Sequence, residues 1–74
     1  MSSNPPATIG ARIRERRHEL GLSQVELSMR SGVHWTAISE YERGVTTPSL
    51  RTLVNLAAPL EVDVGDLVRG LEPW

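Results

Sequence analysis

The chain of 74 residues predicts an all-α domain of five short helices and no sheet. Three observations carry that reading. From Ile9 onward apolar residues recur at spacings of three and four, and no stretch alternates apolar and polar residues for long enough to be a strand. Hydroxyl and carboxylate residues stand where helices would begin, and glycines where they would end. The length admits one small domain, which buries roughly 60% of its unfolded surface. An apolar content of 39% with 23% charged residues is that of a globular chain.

Residues 1–7 are small, polar and Pro-containing, and read as a loose leader to a single compact domain over 8–74. The first helix carries Ile9, Ile13 and Leu20 on one face, with arginine at the intervening position, and stops at Gly21. Ser23-Gln24-Val25-Glu26 is a capping box that starts a second helix. Its apolar positions read as Val25, Leu27 and Met29, and it ends at Gly32. A third helix starts within His34-Trp35-Thr36, since Ile38 and Tyr41 follow at helical spacing, and ends at Gly44. Two short helices joined by a turn of three or four residues containing glycine form a helix-turn-helix. Thr47-Pro48-Ser49 reads as the next start, with a capping hydroxyl followed by proline at the first helical position. Leu50, Leu53, Leu56, Ala57 and Leu60 follow, and the helix breaks near Pro59. Asp63 and Asp66 can cap a fifth helix bearing Val64, Leu67, Val68 and Leu71.

Composition removes several function classes. With no cysteine there are no disulfides, thiolate metal sites or cysteine nucleophiles, and a reducing, cytoplasmic location is expected. No apolar run approaches ~20 residues, so no membrane span is expected. Residues Met1 to Thr8 lack the basic and apolar segments of a secretion signal. His18 and His34 have neither ligand spacing nor thiolate partners, so no metal or cofactor is called for. No serine, histidine and acid share a triad spacing, and no catalytic residue is assigned.

All eight basic residues are arginine, set against nine acids for a net charge of −1. Taken alone, this balance argues against non-specific coating of nucleic acid. Its distribution is uneven. Residues 1–30 hold five arginines against three glutamates, whereas 53–74 hold Arg69 against Glu61, Asp63, Asp66 and Glu72. Arg17 and Glu42 both lie on inward helix faces, which is tolerable only if they meet as an ion pair. Val33 and Ile38 fill the inward positions around Trp35, leaving that large aromatic exposed and in need of a partner.

Gly21-Leu22-Ser23-Gln24, Glu26-Leu27, Gly32-Val33, Ile38-Ser39, Glu42-Arg43-Gly44, Pro48-Ser49-Leu50, and Leu53 with Leu56-Ala57 and Leu60 form an ordered series. Over about residues 9–68 it resembles the Cro and phage-repressor (XRE) family. The resemblance implies a lambda-repressor-like domain whose third helix enters the major groove of double-stranded DNA. It also implies pairing of the Arg and Glu at positions 17 and 42. Four positions depart from the family pattern. Ser28 replaces a usual alanine, His34 a usual Ser, Thr or Asp cap, Pro59 a usual Ala or Lys, and Glu61 a usual glycine.

On this resemblance Gln24, Ser39 and Arg43 are phosphate contacts, with Thr46 or Thr47 adding a hydroxyl. His34, Trp35, Thr36 and, one turn on, Ser39 and Glu40 face base edges, with Trp35 suited to a thymine methyl or a sugar. Of Arg12, Arg14 and Arg16, Arg12 or Arg16 is the nearer candidate for the flanking backbone, and the choice stays open. Proteins of this kind bind as two-fold dimers on half-sites about one DNA turn apart. Leu67, Val68, Leu71 and Trp74 are the expected homodimer seam. So small a chain is expected to lack room for an ordinary ligand pocket. The function expected is a sequence-specific transcriptional regulator on a palindromic operator, resembling the stand-alone controller proteins of restriction–modification systems. Phage or plasmid repressors, antitoxins, and a protein-interaction adaptor on the same fold are the alternatives.

Overall fold

The computed structural model describes residues 8–71; the leader 1–7 and Trp74 lie outside the described residues. Five helices follow in order, α1 Ile9–Glu19, α2 Gln24–Ser31, α3 Trp35–Glu42, α4 Leu50–Ala57 and α5 Val64–Val68, with no strand among the described residues. Ile13, Leu27, Ile38, Leu56 and Leu60 are fully buried, one from each of α1 to α4 and one from the turn after α4. Ile9, Leu53, Ala57 and Leu67 complete the core.

Helices this short are marginal alone, so their ends carry much of the specification. Thr8 Oγ1 accepts from the Ala11 amide, and Ser23 Oγ from that of Glu26. The Glu26 carboxylate accepts in turn from the Ser23 amide at 2.9 Å. The backbone and side-chain hydrogen bonds with Ser23 hold the Glu26 carboxyl below the usual carboxylate range. A second device recurs. The residue before the N-cap and the residue four into the helix are apolar and at least partly buried in Leu22/Leu27, Val33/Ile38, Pro48/Leu53 and Val62/Leu67. This is the pattern of a hydrophobic staple, and it fixes the entry angle of α2 through α5.

It also corrects the start of α4. The cap is Ser49, whose Oγ accepts from the Thr52 amide, and not Thr47. Pro48 precedes the cap and is buried, because its apolar ring is more favourable in the interior than exposed at a first helical position. In α2 only Leu27 enters the core; Val25 and Met29 are exposed. Residues two apart on a helix point to opposite sides, so the three could not share a face. Leu50, the first residue of α4, is likewise exposed.

Three helix ends close alike. Leu22 donates to the Arg17 carbonyl, Val45 to Glu40 and Val62 to Ala57, each paired with a bond from the residue before to the carbonyl three residues back. This is the Schellman arrangement, which requires a left-handed residue at its centre. Gly21 and Gly44 fill that place with φ of 70° and 76°. In the third it is Glu61, with φ of 59°. Pro59 therefore lies inside the closing turn, where the Leu60 amide still reaches the Leu56 carbonyl, and the chain reverses two residues later.

Gly10 has a role the apolar periodicity does not reveal. It is buried where α1 crosses the end of α3, and a Cβ there would stand 1.7 Å from the Tyr41 carbonyl oxygen. Gly10→Ala must separate the two helices, and a loss of about 3 kcal/mol or outright unfolding is expected in urea titrations. Glu61→Gly should act oppositely. Removing a side chain from a left-handed position should raise stability by about 1 kcal/mol, read as a higher denaturation midpoint at unchanged slope.

Candidate nucleic-acid interface

Arg17 of α1 and Glu42 of α3 meet on their inward faces. Arg17 Nε donates to Glu42 Oε2 at 2.8 Å and Nη2 to Oε1 at 2.7 Å, a two-pronged pair with side chains only 9% and 3% exposed. Arg17 Nη1 donates to the Leu22 carbonyl at 2.9 Å, tying in the segment before α2. The hydrogen bonds to Glu42 raise the arginine pKa and outweigh the burial that lowers it. Gln24, the first residue of α2, donates its Nε2 to Glu42 Oε1 at 3.2 Å. Its amide orientation is thus set by the same carboxylate.

The start of α3 is built from His34. Its Nδ1 accepts from the Thr36 amide at 3.1 Å, so the imidazole does the capping work usual for a hydroxyl or carboxylate. Accepting through Nδ1 places the ring proton on Nε2, which makes the outer ring nitrogen a donor. The Trp35 ring stacks on His34 with centroids 5.8 Å apart and planes 28° from parallel. Trp35 is 49% exposed while Ile38 behind it is fully buried. Thr36 is exposed, and Ser39 and Glu40 are half-buried one turn on. Arg43 Nε donates to Ser39 Oγ at 3.3 Å. Thr46 is exposed in the loop that follows.

An open cleft of about 290 Å³ lies between α1, α2 and α3, lined by Arg14, Arg17, Gln24, Ser39, Glu42 and Arg43. It gathers three of the expected phosphate contacts, Gln24, Ser39 and Arg43, and adds Arg14. Thr46 is not among its lining residues. The other two α1 arginines turn elsewhere. Arg12 Nη1 donates to the Arg69 carbonyl, and Arg16 Nε to that of Leu60 with Nη1 on Glu19. They point to the C-terminal part of the chain rather than to the face that α3 presents.

The C-terminal seam is corrected in part. Leu67 is 2% exposed and belongs to the chain's own core, because it is the inner half of the staple with Val62. Val68 and Leu71 are half-buried at the core's edge. Between α1 and α5 runs an open groove of about 450 Å³, so size alone does not rule out a small ligand as the chain length had implied. Among the described residues no cluster of histidine and acid side chains could hold a metal ion, and no helix is long and apolar enough to cross a membrane.

Five short helices in which an exposed α3, backed by α2, flanks a cationic cleft define a helix-turn-helix domain of the repressor type. The chain belongs to the helix-turn-helix family, whose profile matches residues 13–67. It is 39% identical over 61 residues to the HTH-type transcriptional regulator DdrOP3 of Deinococcus deserti, covering 82% of this chain and 47% of that protein. The chain spans about half the length of the first relatives it matches. Its fold is similar to that of SinR, a master regulator for biofilm formation solved in complex with DNA, at a TM-score of 0.80 and 39% identity over 82% of this chain and 98% of that one. It is also similar to the restriction-modification controller protein C.AhdI of Aeromonas hydrophila, at a TM-score of 0.78 and 34% identity over 82% of this chain and 92% of that one.

Glu42→Ala would leave the Arg17 guanidinium buried without its partner. A loss of about 3 kcal/mol is expected in equilibrium unfolding. A loss within about 0.5 kcal/mol of zero would show that the pair contributes nothing net.

Proposed function

We propose that this chain is a sequence-specific DNA-binding transcriptional regulator that acts as a homodimer on a palindromic operator, in the cytoplasm. The observation that carries the reading is the solvent face of α3, where His34, Trp35 and Thr36 stand exposed beside a cleft holding more arginine than acid. A major groove admits one helix, and the first turn of α3 is the part free to enter it. His34 Nε2 offers a donor to a purine N7 or O6, Trp35 an apolar surface to a thymine methyl, Thr36 a hydroxyl, and Glu40 an acceptor for a cytosine amino group. Gln24, Ser39, Arg43 and Thr46 hold phosphates and set the register. The likeness to SinR bound to DNA supports this placement, and the likenesses to C.AhdI and to the P22 c2 repressor, the latter at a TM-score of 0.82 and 36% identity, support a restriction–modification controller and a phage-type repressor alike.

A second reading, a protein-interaction adaptor, has one observation in its favour. Val25 and Met29 on α2 and Leu50 and Val54 on α4 are exposed apolar pairs at i,i+4 spacing. Selection from a random duplex pool separates the two readings. The regulator should enrich a palindrome and bind it with an affinity that falls steeply from low to moderate salt. An adaptor should enrich nothing. With Val68 and Leu71 as the seam, Leu71→Asp should give a monomer by sedimentation and weaken palindrome binding far more than half-site binding. A dimer unaffected by the substitution places the seam elsewhere.

A further inference from the structure

The α1 arginines have different fates. Arg12 and Arg16 are held by carbonyls of the C-terminal part of the chain. Arg17 is neutralised by Glu42. Arg14 is exposed and among the described residues has neither an ion pair nor a side-chain hydrogen bond, yet it lines the same cleft as Gln24, Ser39 and Arg43. Arg43 meets only the Ser39 hydroxyl among the described residues. With Glu42 already saturated by Arg17, the cleft carries two cations with no carboxylate to answer them. By contrast, the α1/α5 groove balances Arg12, Arg16 and Arg69 against Glu15, Glu19 and Asp66. A site with two unanswered guanidinium groups, a hydroxyl and an oriented carboxamide is chemically suited to a phosphate group.

We propose that this cleft seats one phosphodiester of the DNA backbone in each half-site, and that Arg14 is the ligand α1 contributes to it. The proposal rests on the DNA-binding reading above. Arg14 and Arg43 approach the phosphate from α1 and α3, and Gln24 donates its second Nε2 hydrogen, the first being committed to Glu42. The buried Arg17–Glu42 pair is the floor of the seat. Arg14 thus couples the register of α3 in the groove to the position of α1.

The test uses the full chain and the palindrome enriched by wild type. Arg14→Ala should melt at the wild-type temperature, weaken binding to specific and random duplexes alike, and reduce the salt slope by about one unit per half-site. Arg30→Ala, at the far end of α2, should leave the slope unchanged. Scanning methylphosphonate linkages through the half-site should find one neutral linkage whose loss is at least that of Arg14→Ala and whose combination with Arg14→Ala is less than additive. Wild-type binding with a steep salt slope that Arg14→Ala leaves intact, or a full additional loss at every linkage, overturns the seat while the DNA reading stands. If wild type binds no duplex, both fall. Millimolar inorganic phosphate that stabilises wild type against heat but not Arg14→Ala would assign the cleft to a free anion instead of DNA.

Discussion

The Arg17 guanidinium has three acceptors, two on Glu42 and one at the Leu22 carbonyl, and through them it fixes α1 against α3 and both against the entry to α2. Two charges so far from water are costly unless each is fully answered, and here they are: no buried side-chain polar atom among the described residues lacks a partner. Such a pair adds little to stability over an apolar replacement, but it accepts only one arrangement of the three helices. Gly10 sharpens the constraint. The same two helices touch backbone to backbone at the Tyr41 carbonyl, one residue from Glu42, so the ion pair and the close approach hold one crossing at two points. Gln24 then inherits its orientation from Glu42.

Around this crossing the domain is assembled from ends rather than from long helices. Each of α2, α3 and α4 has eight residues, too few to be helical alone. Side-chain caps, staples and Schellman closures supply local terms of roughly 1 kcal/mol each that act on both ends of a helix at once. One closure is strained at Glu61, where the related family usually has glycine. The strain falls in the turn leading into α5 and so leaves the α1–α3 geometry untouched.

Much of this was legible in the residues. The five helices follow from hydroxyls, glycines and apolar spacing, because those are local signals. The exposure of Trp35 follows from Val33 and Ile38 already occupying the inward positions. The Arg17–Glu42 pair follows from two charges on inward faces with no other remedy. What was not legible depends on which neighbour arrives in space. Val25 and Met29 are apolar residues on the wrong side of α2, which composition cannot show. Thr47 and Ser49 are both capable caps, and the burial of Pro48 decides between them. Leu67 is indistinguishable in sequence from Val68 and Leu71 until α5 packs on the core and buries Leu67 alone of the three. Gly10 reads as a weak spot in a helix until Tyr41 lies beside it. Arg14 reads as one of three solvated arginines until the C-terminal carbonyls claim the other two.

That sorting of arginines bears on how the chain would grip DNA. Net charge is −1, yet few of the cations are available to phosphate. Arg17 is internal, Arg12, Arg16 and Arg69 lie along the α1/α5 groove, and Arg30 and Arg51 stand on α2 and α4. On the proposed reading, Arg14 and Arg43 are the cations that face the backbone beside α3. Each neutralised phosphate contributes a salt slope of about −0.9. One such seat per protomer makes non-specific affinity weak, and a lone protomer gains little from finding its site. Two protomers on a palindrome double the phosphate contacts at a single cost of association. On that reading the near-neutral total has a physical consequence: discrimination would arise from α3 and from dimerisation, because the electrostatic background against which they are read is small.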